Sequence, residues 1–147
     1  MQPPQRSRLQ HICIVDEDEQ FRALFRHILQ QQGYAVVEAP DGQSALKLIN
    51  ASPYRLVVVL TRALSERDGL TVFSAMLADA SLAKYHAYLL LSVAPRLSPA
   101  LEALVSTLRV PVINQPEDLH GVLKYIGMLA HRLEVKRTLD SLPALSR

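Results

Sequence analysis

The sequence predicts a doubly wound α/β fold, with a five-stranded parallel sheet of order 2-1-3-4-5 and helices on both faces. Three observations favour it. Apolar runs of strand length alternate with segments of helical period along the whole chain. Residues 56–60 are aliphatic at every position, which is typical of a strand buried on both faces. The connections have the ordinary length of right-handed βαβ crossovers.

Five strands are predicted, each followed by a helix, at residues 12–15, 35–39, 56–60, 87–91 and 110–113. In the first helix Asp18 can cap the start and Gly33 can stop the end. Its predicted apolar face consists of Phe21, Leu24, Phe25, Ile28 and Leu29. The second helix spans about 41–50, with Ala45, Leu48 and Ile49 directed inward.

The three later helices are predicted in the same way from apolar spacing. Leu70, Phe73, Leu77 and Ala80 mark the third helix. The fourth begins at Ser98 as N-cap and Pro99 as first helical residue, and its apolar face is Leu101, Leu104, Val105 and Leu108. The last carries a seam formed by Leu119, Val122, Ile126, Leu129 and Leu133.

Composition limits the classes of protein that remain. A chain of 147 residues, 49% hydrophobic and 20% charged, suits one domain with a proper core. The formal charge of +2 gives no strong attraction to nucleic acid. A single cysteine, Cys13, excludes an internal disulfide and a cysteine zinc site. Without a signal-like or membrane-spanning apolar segment, we expect a cytoplasmic protein with no membrane contact.

The expected organisation has three parts. Residues 1–10 are polar and proline-containing and are predicted to be a mobile arm. Residues 11–130 form the domain, and residues 131–147 form a helical extension and tail. In that tail Leu139, Leu142 and Leu145 have no predicted core to join, so they could pack on a second copy or begin a linker.

The predicted chemistry lies where the strands end. No glycine-rich phosphate loop, G-x-S-x-G elbow or H-E-x-x-H pair occurs in the sequence. An acidic run at residues 16–19 follows the first strand, and Thr61 follows the third. In a sheet of order 2-1-3-4-5 those two ends are neighbours at the topological switch point. The acidic run could also serve only as a capped, solvated helix start.

Four segments, IVDEDEQFR, GYAVVEAPDGQSALKLI, LVVVLTRALSERDGL and VINQP, together resemble the receiver domain of bacterial two-component response regulators. The resemblance covers roughly residues 10–130 and implies a flavodoxin-like fold. In that family an acidic pair holds Mg²⁺, an Asp after the third strand accepts phosphate, a Thr or Ser ends the fourth strand, and Lys-Pro follows the fifth. On this resemblance Asp16 and Glu17 match the acidic pair, Ser92 matches the hydroxyl and Pro116 matches the proline.

Three positions depart from the family pattern. The family spacing back from Asp68 places the phosphoacceptor position at Thr61, and the Lys before Pro116 is replaced by Gln115. Val112 occupies the position where an aromatic switch residue usually lies. An acyl phosphate requires a carboxylate nucleophile, so Thr61 cannot take over that chemistry. At most a vestigial acidic pocket at Asp16 and Glu17, with weak Mg²⁺ binding, is expected.

The resulting expectation is a pseudo-receiver that is not an enzyme and works by binding proteins independently of phosphorylation. Its partner would be a kinase, a regulator or a second copy, bound through the last two helices and the fifth strand. One alternative is a Mg²⁺-dependent receiver that is phosphorylated on a non-standard residue. Another is a DNA-associated regulator that uses Arg132, Lys136 and Arg137, although the cations are too few to favour nucleic acid.

Overall fold

The computed structural model describes residues 9–61, 65–92, 96–114 and 118–142. In these ranges the chain forms five strands and six helices. The strands are β1 (His11–Val15), β2 (Ala35–Ala39), β3 (Leu56–Leu60), β4 (Ala87–Ser92) and β5 (Val112–Asn114). The helices are α1 (Glu19–Gln31), α2 (Gly42–Ala51), α3 (Glu66–Ala78), α4 (Ala80–Tyr85), α5 (Pro99–Leu108) and α6 (Leu119–Asp140). Over these same ranges, no helix has the length and apolar character needed to cross a membrane.

The strands form one parallel sheet of order β2-β1-β3-β4-β5, which confirms the predicted fold class and order. The central strand β3 is buried at all five positions. In the register of the sheet Val15 lies opposite both Ala39 and Leu60. The carboxyl ends of β1 and β3 are therefore level, and the residues that follow them are neighbours.

Two hydrophobic cores cover the two faces of the sheet. Val58 and Leu60 point to the core built with α2, α3, α4 and α5, in which Phe73 is fully buried. Val57 and Val59 point to the core built with α1 and α6, in which Phe25 is buried. The alternation follows from the two-residue period of a strand. Cys13, the single cysteine, is completely buried in β1, and burial raises the pKa of its thiol to about 12.

Most predicted helix boundaries agree with the structure. The Asp18 side chain accepts hydrogen bonds from the backbone N–H groups of Gln20 and Phe21 and so caps α1. Ser98 caps α5 through the N–H of Leu101, with proline at the first helical position. Gly33 follows the end of α1 with a φ of 96°, a conformation that glycine adopts without steric cost.

The structure corrects the prediction in the region between β3 and β4. α3 ends at Ala78, and Asp79 is both its C-cap and the N-cap of α4, a short helix that apolar spacing did not reveal. The buried face of α3 is formed by Gly69, Val72, Phe73 and Met76. Leu77, one of the apolar residues that marked the predicted helix, is 56% exposed. Apolar spacing cannot identify the buried face when apolar residues lie on both sides of a helix.

Three smaller differences concern single residues. Leu24 of α1 and Leu119 at the start of α6 were predicted to face the core but are 58% and 42% exposed. β5 begins at Val112 rather than at residue 110. Pro111 precedes it and has no backbone N–H for the ladder, although its carbonyl accepts from the N–H of Leu90.

α6 is 22 residues long, or about 33 Å, and continues without a break through residue 130. Its last turns are attached at the amino edge of the sheet, where Asp140 forms an ion pair with Arg55 and Lys136 donates to the carbonyl of Lys84. Gln10 also donates to the carbonyl of Ala130. Residues 1–8 and 143–147, which include Leu145, lie outside the described residues, and the predicted division into arm, domain and tail remains a prediction.

Arg109 gives a first prediction, because it follows α5 in the left-handed conformation with a φ of 58°. Side chains with a Cβ are strained there and glycine is not. We expect Arg109→Gly to be more stable than Arg109→Ala by about 1 kcal/mol. Urea unfolding of the two variants measures this difference. Equal stability would contradict the assigned conformation.

His86 gives a second prediction. It is 5% exposed and its Nδ1 accepts from the N–H of Leu56 at 2.9 Å. Burial, helped by the charge of Arg55, lowers the pKa of His86 to about 4. Since the unfolded value is near 6.5, the neutral form stabilises the fold fully above about pH 6.5, and this contribution is lost as the pH falls toward 4. It amounts to roughly 3 kcal/mol.

The measurement compares the native chain with His86→Asn, whose side-chain oxygen can replace the Nδ1 acceptor and does not titrate. Between pH 6.5 and 4 the free energy of unfolding should fall more steeply for the native chain. Parallel pH profiles would show that His86 is not buried as a neutral group.

Candidate functional site

The candidate site is formed by Asp16 and Thr61, the residues that follow β1 and β3. The N–H of Thr61 donates to the carbonyl of Val15 at 3.1 Å, and the N–H of Asp16 donates to that of Ala39 at 3.1 Å. Sheet-type bonding thus fixes both backbones. Asp16 is 0% exposed and Thr61 is 1% exposed. A polar pair is therefore enclosed at the switch point of the sheet, as the strand order predicted.

The side chains of this pair bind each other. The hydroxyl oxygen of Thr61 lies 3.0 Å from the carbonyl oxygen of Val15 and within hydrogen-bond distance of one carboxylate oxygen of Asp16. The other carboxylate oxygen of Asp16 accepts from the N–H of Asp18 at 2.7 Å. Because a threonine hydroxyl has a single proton, its two acceptors compete for it. Both oxygens of the buried carboxylate are engaged by the protein itself.

Glu17, the second member of the predicted acidic pair, does not share the buried space of Asp16. Glu17 is exposed, while Asp16 is buried, and Asp18 is occupied in capping α1. In the part of the chain that the structure describes, no three His, Cys, Asp or Glu residues are grouped so that they could hold a metal. Mg²⁺ requires an octahedral set of oxygen ligands. The described residues do not fit that requirement, and Mg²⁺ binding by Asp16 and Glu17 stays a prediction.

An arginine that sequence reasoning missed borders the site. Arg22 donates to the backbone carbonyl of Asp16 at 2.6 Å and to the carboxylate of Glu38 at 3.1 Å. Arg26 also forms an ion pair with Glu38. The only available sequence signal was that Arg22 lies four residues after the cap Asp18, on the first turns of a helix. Glu38 therefore holds the Arg22 guanidinium outside the pocket, on its β2 side.

The family model described as Response regulator receiver domain matches residues 12–106. The chain belongs to the receiver domain family. It is thus a receiver domain of the two-component type, which confirms the resemblance seen in the sequence. No curated protein matches it.

Solved receiver structures share its fold. A CheY-like receiver domain from Methanospirillum hungatei JF-1 has a TM-score of 0.69 and 22% identity, over 88% of this chain and 98% of that one. The receiver domain of a putative LuxO repressor protein from Vibrio parahaemolyticus has a TM-score of 0.74 and 11% identity, over 91% and 99%. The response regulator TrrA from Thermotoga maritima, in complex with Mg²⁺-BeF, has values of 0.63 and 21%, over 82% and 99%.

Two further receiver positions, Ser92 and Val112, lie among the described residues. Ser92 ends β4, is 7% exposed, and lies opposite Asn114 of β5. Val112 begins β5 and is partly buried. Gln115 and Pro116 lie outside the described residues. Their assignment as switch-type positions therefore stays a prediction.

Asp68, the landmark of the receiver spacing, has a structural role. Its carboxylate accepts from the N–H of Gly42 at 3.0 Å and from the hydroxyl of Ser65 at 3.0 Å. A Cβ on Gly42 would lie 2.7 Å from the carbonyl oxygen of Asp68, so only glycine permits this approach. Asp68 therefore joins the starts of α2 and α3.

The site of this receiver domain predicts a stability effect. Thr61→Val preserves the shape of the side chain but leaves one oxygen of the buried Asp16 carboxylate without its donor. We expect the free energy of unfolding to fall by about 1–3 kcal/mol. Denaturant unfolding measures it, with Thr71→Val as the matched control. The Thr71 hydroxyl bonds only to the exposed carbonyl of Arg67, so its loss should cost at most about 0.5 kcal/mol. Equal effects of both variants would contradict the role of Thr61.

Proposed function

We propose that this receiver domain is a pseudo-receiver, a phosphorylation-independent protein-binding module of bacterial two-component or phosphorelay signalling. The observation that carries the proposal is the buried Thr61 at the end of β3, where the family resemblance calls for a phosphoaccepting carboxylate. In this proposal the chain is not an enzyme and works in the cytoplasm.

The chemistry of Thr61 supports the proposal. Forming an acyl phosphate needs a carboxylate that attacks phosphorus and also ligates the metal. Thr61 instead donates its proton within the protein and is 1% exposed. A phosphoryl donor would have to open this edge of the sheet to reach it.

The free energy that a phosphoryl switch would require also supports the proposal. Moving a two-state population from about 1:99 to 99:1 requires about 5.5 kcal/mol of differential binding. Hydrogen bonds to charged groups contribute about 1.5–3 kcal/mol each, so a phosphoryl switch needs several of them. Thr61 and Gln115 replace the attachment point and the sensing lysine that the resemblance implies. In this proposal the chain therefore does not switch by phosphorylation.

The alternative of a non-standard phosphoacceptor rests on one contact. The Asp16 carboxylate touches the Thr61 hydroxyl, which is the arrangement of a base beside a nucleophile. The product would be a threonine phosphoester rather than an acyl phosphate. Burial of both groups and the absence of a metal-binding group among the described residues weigh against it.

The proposed binding face lies between α5, β5 and α6. An open groove of about 430 Å³ follows this face. Its floor includes Val105, Val110 and Val112, and Arg109 and Arg132 line it as cations. An apolar floor with charged residues suits a protein partner. A kinase, a regulator or a second copy of the chain could bind there.

The DNA-binding alternative loses part of its support. Of the three cations on which it rests, Lys136 donates to the carbonyl of Lys84 and Arg137 forms an ion pair with Glu134. Arg132 is exposed. A sequence-independent contact with phosphates needs several free cations on one face.

Phosphotransfer tests the proposal. Incubation with acetyl phosphate and Mg²⁺ should leave the intact mass of the native chain unchanged, because Thr61 cannot form an acyl phosphate. The matched control is the double variant Thr61→Asp, Gln115→Lys, which restores both groups that the resemblance implies. It should gain the mass of one phosphoryl group.

A phosphoryl group on the native chain would overturn the proposal. Hydroxylamine cleaves acyl phosphates and leaves phosphoesters intact, so resistance to it would assign the group to a hydroxyl such as that of Thr61. Loss of this modification in Thr61→Val would complete that assignment.

A further inference from the structure

α6 has a second apolar face that points away from the sheet. We name it the outer stripe, formed by Met128, Val135, Leu139 and, just past the helix end, Leu142. Their exposed fractions are 40%, 43%, 56% and 46%. The angles are counted at 3.6 residues per turn, as if the helix continued to Leu142. The four side chains then fall within about 60° of one another around the helix axis. The buried face of α6 is formed by Val122, Ile126, Leu129, Ala130 and Leu133.

The outer stripe is held in a fixed orientation. Asp140 pairs with Arg55, whose guanidinium also lies 4.3 Å from the ring centre of Tyr85. Lys136 donates to the carbonyl of Lys84 at 2.7 Å. These contacts join the last turns of α6 to the amino edge of the sheet. A partner that binds the stripe therefore does not have to order it first.

The spacing of the stripe fits a helix. Met128, Val135 and Leu142 are seven residues apart, the repeat with which one helix keeps a single seam against another. A bilayer needs a broad apolar face, typically with aromatic residues, that can enter the lipid. The stripe is narrow and aliphatic, and the opposite face of α6 is packed against its own sheet.

The charges beside the stripe identify the kind of helix. Lys124 and Arg132 are exposed cations that lie beside it on opposite sides. The two acidic residues in the second half of α6 are already paired, Glu134 with Arg137 and Asp140 with Arg55. Two copies joined through the stripe would bring these cations together. Like charges at such a seam oppose pairing, whereas acidic flanks on the partner would attract.

We propose that the outer stripe binds an amphipathic helix of another protein, with aliphatic residues on one face and acidic residues beside them. The inference rests on the proposed protein-binding function and gives its partner a chemistry. It also places contact on the extended part of α6, which lies past the region matched by the family model.

The probe is a synthetic three-heptad helical peptide with leucine at the a and d positions and glutamate at e and g. We expect saturable binding of one peptide per chain in calorimetric titration. A counterpart with lysine in place of glutamate should bind at least about tenfold more weakly. Raising the salt concentration should weaken binding of the acidic peptide, since exposed charges are screened.

Two matched pairs of variants place the binding on the stripe. Leu139→Ser removes a stripe residue that is 56% exposed, and Leu77→Ser on α3 removes an equally exposed leucine elsewhere. Arg132→Glu reverses a flanking charge, and Arg67→Glu reverses an exposed arginine of α3. Leu139→Ser and Arg132→Glu should each weaken binding about five- to tenfold, and both controls should leave it unchanged. Thermal unfolding checks that all four variants fold.

Several results would overturn the inference. One is equal binding of the acidic and basic peptides, or no binding of either. Another is a molar mass that doubles with concentration and returns to the monomer in Leu139→Ser, which would assign the stripe to a second copy. A third is stripe-dependent binding to vesicles of anionic lipid. The mass assay for phosphate is independent of all three, so failure here is distinguishable from failure of the proposed function.

Discussion

The register between β1 and β3 is the constraint on which the site depends. Because Val15 and Leu60 are paired, the next residue of each strand must share one buried space at the edge of the sheet. Water is excluded there, so a polar side chain needs a partner in the protein. Thr61 supplies that partner to Asp16 without a cation. In the proposed function this one hydroxyl keeps the receiver fold intact while the phosphoacceptor chemistry is lost.

The fold could be predicted because its strongest signals are local. Uninterrupted aliphatic runs marked the buried strands, and Asp18 and Ser98 marked helix starts through caps that the structure contains. The strand order alone predicted that Asp16 and Thr61 are neighbours. Their mutual hydrogen bond, the position of Arg22 and the break at Asp79 did not follow, because each depends on side-chain conformations or on competition between caps.

The carboxyl and amino edges of the sheet differ in what their polar side chains bind. At the carboxyl edge Asp16 and Thr61 hydrogen-bond to each other, and Glu38 binds the Arg22 side chain outside the pocket. At the amino edge Arg55 links Tyr85 to the end of α6 and so extends the rigid part of the helix. In the proposed function, which uses no phosphorylation, specificity comes from surface shape and charge. The outer stripe lies on α6, and α6 also lines one side of the groove between α5, β5 and α6. In the proposed function this helix therefore contributes to both binding surfaces.

Cys13 has a practical consequence. Only the thiolate attacks electrophiles, and this thiol lies in the interior of a strand with neighbours on both sides. Its side chain lies in the core built with α2, α3, α4 and α5, so an alkylating reagent can reach it only after that core has opened. Opening of α1 or α6, which cover the other face of the sheet, leaves it covered. The rate at which Cys13 is labelled therefore reports opening of this one core without an added probe.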